Sequence, residues 1–237
     1  MVTVSIVLAV VAAKSWELHQ MDVHNAFLHG FALLVYQVVS GSCFRWLSTI
    51  MPGSFFFTLY PGRVQLTILF YVDDLIFVGN NSSAIIRFKT YLNKCIHMKD
   101  LGTLKYFLGI EVARSPTSIY LCQCKYTLHI ISEAGLLGIK PANTPLEKNH
   151  HLSSVDGSLF DNPERYRHLV GHMIYLCLTR PELSFSVNTL SQFMQEPHTM
   201  HWDAALPMVR FLKVNPGQGI LLSNLCNLHL HRWCDYD

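Results

Sequence analysis

The chain has 237 residues, of which 50% are hydrophobic and only 14% are charged, and its formal net charge at pH 7 is +2. This length is enough for one large domain or two smaller ones, each with a buried core. A net charge this small does not by itself indicate a nucleic-acid partner. Because the composition is apolar, membrane-spanning segments have to be considered first.

Two apolar regions are too short or too broken to span a membrane. The first, VTVSIVLAVVAA at residues 2–13, has about twelve residues where a bilayer needs roughly 20, and it lacks the basic start of a signal peptide. The second, residues 48–72, is interrupted by Pro52 and Pro61. The sequence therefore predicts a buried N-terminal helix and no membrane partner.

The seven cysteines are spread along the chain without a CxxC pair. An odd number without metal-binding spacing indicates reduced thiols in an intracellular compartment. Cys122 and Cys124 would lie on one face of a strand, which is not the spacing of a zinc site.

The stretch FYVDDLIFVGN, residues 70–80, places Asp73 and Asp74 between two apolar runs. The pattern predicts a β-hairpin with the two acids at its tip. Aspartate is common in turns, so a purely structural role would explain the pair. Two carboxylates on a rigid ribbon would also suit a hard divalent cation such as Mg²⁺. A third acid, Asp22, follows a short stretch that could be a strand and would favour this second interpretation.

The next two segments have the apolar patterns of a helix and then of a strand. Residues 82–98 have apolar side chains at helical spacing, with Ser82 or Ser83 as the predicted N-cap. Residues 103–113, TLKYFLGIEVA, predict a strand that carries Gly109.

The second half of the chain is mainly helical by pattern. Residues 118–136 predict a strand that runs into a helix, and the polar residues 138–164 predict a linker. Residues 165–194 predict helices interrupted near Pro181, and residues 200–215 predict one more.

Seven blocks then occur in a fixed order: MDVHNAFLHG, YVDD, LKYFLGIEVARS, AGLLGIKPANTPLE, IYLCLTRPELSFSVNTLSQFM, HWDAA and NPGQGILL. Together they resemble the reverse transcriptase of copia-type LTR retrotransposons over nearly the whole chain, except about residues 31–62. The resemblance implies an α+β fold, with the palm sheet and packed helices of a right-hand polymerase followed by a mostly helical thumb and connection. It assigns residues 1–112 to partial fingers and palm, 113–215 to thumb and connection, and 216–237 to the stub of an RNase H-like domain.

The resemblance also implies an activity, RNA-directed DNA synthesis on an RNA template with a DNA primer and dNTPs. The catalytic and metal-binding residues would be Asp22, Asp73 and Asp74, with Mg²⁺ as the cofactor and Mn²⁺ as an alternative. Phosphoryl transfer of this kind uses two cations about 3.5–4 Å apart, and three acids can hold them.

Further residues take roles from the same resemblance. Phe27 would lie under the sugar of the incoming nucleotide, although a core aromatic is the alternative. The resemblance places a primer-contacting hairpin at YFLGIEV, residues 106–112, where Phe107, Leu108 and Gly109 would contact the primer, although a strand glycine can equally mark a bulge. A thumb surface that follows the nucleic-acid backbone, or else a scattered basic surface, would be formed by Arg165, Arg167, Arg180, Arg210 and Lys213.

Two histidines four residues apart on a predicted helix, His168 and His172, could share a metal ion. Arg165 and Arg167 beside them would repel a cation, which favours a solvated face that contacts phosphate instead.

The chain departs from the family pattern in two places. Residues 31–63 do not match the longer family segment that carries part of the fingers and the palm helix. The final RWCDYD resembles the start of an RNase H domain, with Asp235 as its first acid and the other acids absent. We therefore expect a truncated, rearranged and inactive copy, located in cytoplasmic virus-like particles or the nucleus. A non-catalytic nucleic-acid-binding remnant and a different two-metal phosphotransferase or nuclease are the alternatives, and the oligomeric state is not indicated.

Overall fold

The structure is a computed structural model, and it describes residues 2–23, 46–51, 54–59, 64–71, 74–95, 98–146, 152 and 157–229. The described residues form six α-helices and two β-sheets, so the predicted α+β class is confirmed. Two compact units divide the chain: the first contains Met1–Lys105, Arg114–Ile119 and Leu222–Asp237, and the second contains Tyr106–Ala113 and Tyr120–Leu221. No helix among the described residues is long and apolar enough to cross a membrane.

The first unit is built on a six-stranded antiparallel sheet with two helices. Its elements in chain order are α1 (Val2–Lys14), β1 (Glu17–Val23), β2 (Trp46–Met51), β3 (Ser54–Leu59), β4 (Leu66–Tyr71), β5 (Asp74–Gly79), α2 (Ser82–Cys95) and β6 (Met98–Thr103). The strand order is β2-β3-β4-β5-β1-β6. The predicted hairpin is confirmed as β4 and β5, whose paired residues end with Tyr71 opposite Asp74.

Strand β5 lies between two neighbours and is buried throughout its apolar part. Leu75, Ile76, Phe77 and Val78 have almost no exposed surface, which explains why this strand is continuously apolar instead of alternating. Helix α2 packs on this strand, with the ring of Phe88 centred 6.4 Å from that of Phe77. A ribbon anchored in the core in this way holds Asp74 in a fixed position.

Both predicted helices of the first unit are present, with two corrections: the N-cap of α2 differs, and the predicted helix extended to Met98, which begins β6. Helix α1 buries Val4, Leu8 and Val11, as expected for a core helix. The N-cap of α2 is Asn81, whose Oδ1 accepts a hydrogen bond of 2.9 Å from the Ala84 N–H. The prediction of a serine cap was therefore wrong, because asparagine one position earlier already satisfies the free N–H.

The second unit combines short strands with the remaining helices. Its elements are β7 (Tyr106–Phe107), β8 (Ile110–Arg114), β9 (Ser118–Cys122), α3 (Cys124–Glu133), α4 (Pro163–Leu176), a 3₁₀ turn (Pro181–Leu183), α5 (Ser184–Ser191), α6 (Thr199–Leu212) and β10 (Gly219–Ser223). The strands follow the order β10-β9-β8-β7. The predicted helices and the interruption near Pro181 are confirmed.

The segment 103–113 contains a hairpin, so the single strand predicted from the apolar pattern was wrong, whereas the hairpin implied by the family resemblance is present. Phe107 pairs with Ile110, and the two residues between them, Leu108 and Gly109, have φ values of 48° and 76°. Positive φ at both central positions is the geometry of a tight two-residue hairpin turn, which the apolar pattern alone does not distinguish from a strand.

The four helices of the second unit share one apolar core. Its fully buried members include Ile130 of α3, Tyr166 and Met173 of α4, Leu190 of α5 and Met208 of α6. The Tyr166 hydroxyl donates a hydrogen bond of 2.8 Å to the carbonyl of Leu190, so this buried polar group is satisfied.

Candidate metal-binding carboxylates and basic residues

The structure places two of the three predicted acids side by side. Asp22 of β1 is directly opposite Asp74 of β5 in the antiparallel register. Directly opposed residues point to the same face of a sheet, with Cβ atoms about 4.5–5.5 Å apart. Asp73 and the predicted nucleotide-binding Phe27 lie outside the described residues.

A buried glutamine, which the sequence analysis did not identify, supports this pair. Gln20 lies two residues before Asp22, so both side chains are on one face of β1. Its side chain is nearly buried, with 7% of the residue exposed, and its Nε2 donates a hydrogen bond of 2.8 Å to Asp74 Oδ1. The sequence does place polar residues at positions 20 and 22, and residues two apart in a strand lie on the same face.

A lysine lies on the other side of Asp22. Strand β6 places Lys99 directly opposite Asp22, so an ammonium group and two carboxylates share one face of the sheet. Two like charges placed opposite each other destabilise a sheet, and a nearby cation offsets part of that repulsion. This face therefore has an excess of negative charge that a bound cation would neutralise.

The predicted primer-contacting residues are part of the β7–β8 hairpin. The side chain of Phe107 is 1% exposed and belongs to the core, so it does not reach the surface. Leu108 and Gly109 form the half-buried turn, and the Tyr175 hydroxyl donates a hydrogen bond to the Leu108 carbonyl. Of the three predicted residues, only Leu108 and Gly109 have exposed surface that a ligand could meet.

Two of the predicted phosphate-binding arginines hold backbone carbonyls. Arg167 donates hydrogen bonds of 2.8 and 3.0 Å to the carbonyls of Met194 and Gln195. Arg210 donates one of 2.9 Å to the carbonyl of Lys140. These guanidinium groups thus hold loops against helices within the second unit.

Lys213 binds carbonyl groups of the loop that follows helix α3. Its ammonium group donates hydrogen bonds to the carbonyls of Leu136, Leu137 and Ile139, those to Leu136 and Leu137 being 2.8 and 2.7 Å long. These bonds hold the loop that follows α3 against the end of helix α6.

The two remaining arginines also have partners inside the second unit. Arg180 is 1% exposed, forms an ion pair with Glu182 and donates a hydrogen bond of 3.1 Å to the Asn215 carbonyl. In this conformation its guanidinium group cannot contact a phosphate. The guanidinium carbon of Arg165 lies 4.7 Å from the centre of the Trp202 ring.

Comparison with known proteins gives the family. A family model described as "Reverse transcriptase (RNA-dependent DNA polymerase)" matches residues 44–148. The predicted break in the resemblance, residues 31–62, is therefore partly wrong, because residues 44–62 fall inside this match. No solved structure matches the chain.

Three relatives show how much of each protein is shared. The retrovirus-related Pol polyprotein from transposon RE2 of Arabidopsis thaliana is 31% identical over 271 residues, which cover 99% of this chain and 19% of that protein. The Pol polyprotein from transposon TNT 1-94 of Nicotiana tabacum is 30% identical over 73% of this chain and 14% of its own length. The uncharacterized mitochondrial protein AtMg00810 of Arabidopsis thaliana is 35% identical over 72% of this chain and 70% of its own length.

The chain thus spans about a fifth of the length of the RE2 polyprotein and most of the length of the mitochondrial relative. The ordered sequence blocks, the family match and these relatives agree, and the chain belongs to the reverse transcriptase family of copia-type retrotransposon Pol polyproteins.

Proposed function

We propose that Asp22, Asp73 and Asp74 form the carboxylate set of a two-metal phosphoryl-transfer site. The observation that carries this proposal is the register of the central sheet, which puts Asp22 directly opposite Asp74 on one face. Asp73 immediately precedes Asp74 in the sequence. In this arrangement Asp22 and Asp73 are the main ligands, and Asp74 supports the site.

The donor set fits Mg²⁺, with Mn²⁺ as an alternative. Carboxylate oxygens are the hard ligands that Mg²⁺ prefers, and a cation removes the repulsion between Asp22 and Asp74. When bound, the ions would activate the primer 3′ hydroxyl and neutralise charge on the leaving pyrophosphate. The hydrogen bond from Gln20 occupies Asp74 Oδ1 and fixes the orientation of that carboxylate.

The substrates and the division of the chain follow from the family. The proposed substrates are an RNA template, a DNA primer and dNTPs, and the proposed location is cytoplasmic virus-like particles or the nucleus. Residues 1–112 would be partial fingers and palm, 113–215 thumb and connection, and 216–237 an RNase H-like stub. The Leu108–Gly109 turn is the part of the β7–β8 hairpin that would meet the primer.

We further propose that the chain as written does not polymerise DNA at a useful rate. The alignment with the RE2 protein extends over 271 residues, more than the 237 of this chain, so that relative has residues without a counterpart here. Catalysis requires the primer hydroxyl to be held about 3–3.5 Å from the reacting phosphate, and a misplacement of about 1 Å can cost on the order of a hundredfold in rate. Missing fingers or palm residues would remove that alignment even with all three acids present.

Metal binding can be tested independently of activity. Mn²⁺ titrated into ¹⁵N-labelled chain should broaden the amide signals of residues near Asp22 and Asp74 before others. Asp73→Asn and Asp74→Asn should weaken this binding at least tenfold, whereas Asp203→Asn, which removes an exposed acid on α6, should leave it unchanged. Equal broadening in the wild type and in all three variants would show that these carboxylates do not bind the metal ion.

Activity is tested by extension of a labelled oligo(dT) primer on poly(rA) with Mg²⁺. The unmodified chain should give no extension, and a chimera in which residues 31–43 are replaced by the corresponding RE2 segment should gain it. Asp73→Asn in the chimera should abolish the gain. Robust extension by the unmodified chain would contradict the proposed inactivity, while a gain that survives Asp73→Asn would contradict the proposed metal site.

A further inference from the structure

A cluster of metal-ligating side chains lies in the second unit, within a part of the chain that the proposed polymerase site does not use. Glu133 is the last residue of α3, and His168 and His172 are four residues apart on α4. One ligand atom from each of the three side chains lies within 4.8 Å of the others. Histidines at positions i and i+4 of a helix share one face, as in helical zinc sites.

Two of the distances between ligand atoms are close to those of a tetrahedral metal site, and the three ligand atoms lie within 4.8 Å of one another. His168 Nδ1 is 3.2 Å from Glu133 Oε1, and His172 Nδ1 is 3.5 Å from Glu133 Oε2. With metal–ligand bonds of about 2.0–2.1 Å, two ligand atoms of a tetrahedral zinc ion are about 3.3 Å apart. These two distances involve different oxygens of Glu133, so the exposed Glu133 and His168 side chains would adjust when a metal ion binds.

One of these ligand atoms, His172 Nδ1, makes no hydrogen bond to any described residue. His172 Nδ1 is buried from solvent and has no hydrogen-bond partner within the described chain. Its approach to Glu133 at 3.5 Å is thus close but lacks hydrogen-bond geometry. A buried polar atom without a partner is costly, and coordination to a metal would satisfy it.

The two helices hold the cluster rigidly. His172 packs edge-on against Tyr126 of α3, with ring centres 5.5 Å apart, and its ring centre is 4.1 Å from that of His168. Helix α4 begins at a side-chain cap, since Asn162 Oδ1 accepts a hydrogen bond of 3.0 Å from the Arg165 N–H. Ligands on fixed helices lose little conformational freedom when a metal binds.

The arginines that were expected to repel a metal are held by other partners. Arg167 binds the carbonyls of Met194 and Gln195, as described above. Arg165 stacks on Trp202, although it lines the same cleft as Glu133 and His168. The negative charge of Glu133 lies between the histidines and remains available to a cation.

We propose that Glu133, His168 and His172 bind one Zn²⁺ ion that links helices α3 and α4. Two imidazoles and one carboxylate favour zinc and related transition ions over Mg²⁺, which takes oxygen ligands. The fourth position is left for water or for His129, whose Nε2 is 3.8 Å from Glu133 Oε2. This site is independent of the proposed polymerase chemistry and stabilises the helical unit.

The test uses the full chain, stripped of metal, and Zn²⁺ alone. A chromophoric chelator in competition should report one site of micromolar affinity or tighter, and His168→Gln or Glu133→Gln should weaken it at least tenfold. Both side chains are exposed, so these variants should keep the wild-type circular dichroism spectrum. The matched control is His19→Gln, which alters a His–Glu pair of 3.1 Å in the first unit and should leave the affinity unchanged.

Thermal unfolding gives a second readout. Zn²⁺ at about a hundredfold excess over Kd should raise Tm by about 5–10 °C in the wild type and in His19→Gln, and by much less in Glu133→Gln. No zinc site in the wild-type chain, or an affinity and Tm increase that are the same in Glu133→Gln, His168→Gln and the control, would overturn the proposal.

Discussion

Replacing Asp74 by asparagine should stabilise the metal-free protein, because it removes a repulsion that the sheet imposes. Asp22 and Asp74 are directly opposed and half-buried, so their charges are separated by about 5 Å. Coulomb's law with an effective dielectric between about 80 and 20 gives a repulsion of about 1–3 kcal/mol. Lys99 on the other side of Asp22 offsets part of it, which leaves an expected gain of about 1 kcal/mol.

The substitution keeps the other contact of this side chain. The amide oxygen of asparagine still accepts the hydrogen bond that Gln20 donates to Asp74 Oδ1. A gain of about 1 kcal/mol should raise Tm by roughly 2–4 °C in a chain of this size. The assay is thermal unfolding followed by circular dichroism at low salt with EDTA, with and without Asp74→Asn.

Salt and a second variant test the electrostatic origin of the gain. In 1 M NaCl the screening length is about 3 Å, so the difference in Tm should fall by more than half. Asp22→Asn should give a smaller gain, because it also removes the carboxylate opposite Lys99. A lower Tm for Asp74→Asn at low salt, or a gain unaffected by 1 M NaCl, would refute the reasoning.

Three further predictions concern stability. Asp100→Asn should cost about 1 kcal/mol at pH 7, because it removes the carboxylate 2.5 Å from the nearly buried Lys89 ammonium. Burial raises the pKa of Asp100, but hydrogen bonds from Lys89 and the Gly102 N–H lower it by more. The difference in urea stability between variant and wild type should therefore shrink as the pH falls below 3.8 and through the folded-state pKa of Asp100. A stability difference that persists at that low pH would contradict this. Tyr175→Phe should shift the urea midpoint by an amount equivalent to about 1 kcal/mol, since it removes the donor to the β7–β8 turn, and an unchanged midpoint would show that this bond contributes nothing. Gly109→Ala should cost about 1–2 kcal/mol because φ is 76° there, and a neutral effect in the same titration would argue against the turn geometry.

The periodic parts of the fold could be predicted from the sequence. Apolar spacing predicted a helix over residues 82–98, of which Ser82–Cys95 is helical and Met98 begins β6, and the flanking apolar runs located the β4–β5 hairpin. Local patterns failed where a single residue decides the geometry. The cap at Asn81 and the turn at Leu108 and Gly109 depend on one hydrogen bond and two backbone angles, which spacing does not encode.

Charge patterns were less informative than apolar patterns. A basic residue in a sequence is usually expected to be a cation on the surface. Arg180 is instead buried, and Arg167 binds the carbonyl of Met194, which is 27 residues further along the chain. These partners are brought together only by the tertiary fold, so no local signal reveals them. The opposition of Asp22 and Asp74 is likewise a matter of strand register between segments about fifty residues apart.

The three carbonyls bound by Lys213 have a consequence for the order in which the second unit folds. Lys213 is separated from them by 74 to 77 residues, so these bonds form only after a long segment has been closed. Contacts of this kind are commonly absent from the folding transition state, because the chain entropy of closing the segment opposes them until the helices dock. We expect Lys213→Met to accelerate unfolding while leaving the refolding rate nearly unchanged, so that this one ammonium group governs how long the native helices persist and not how quickly they assemble.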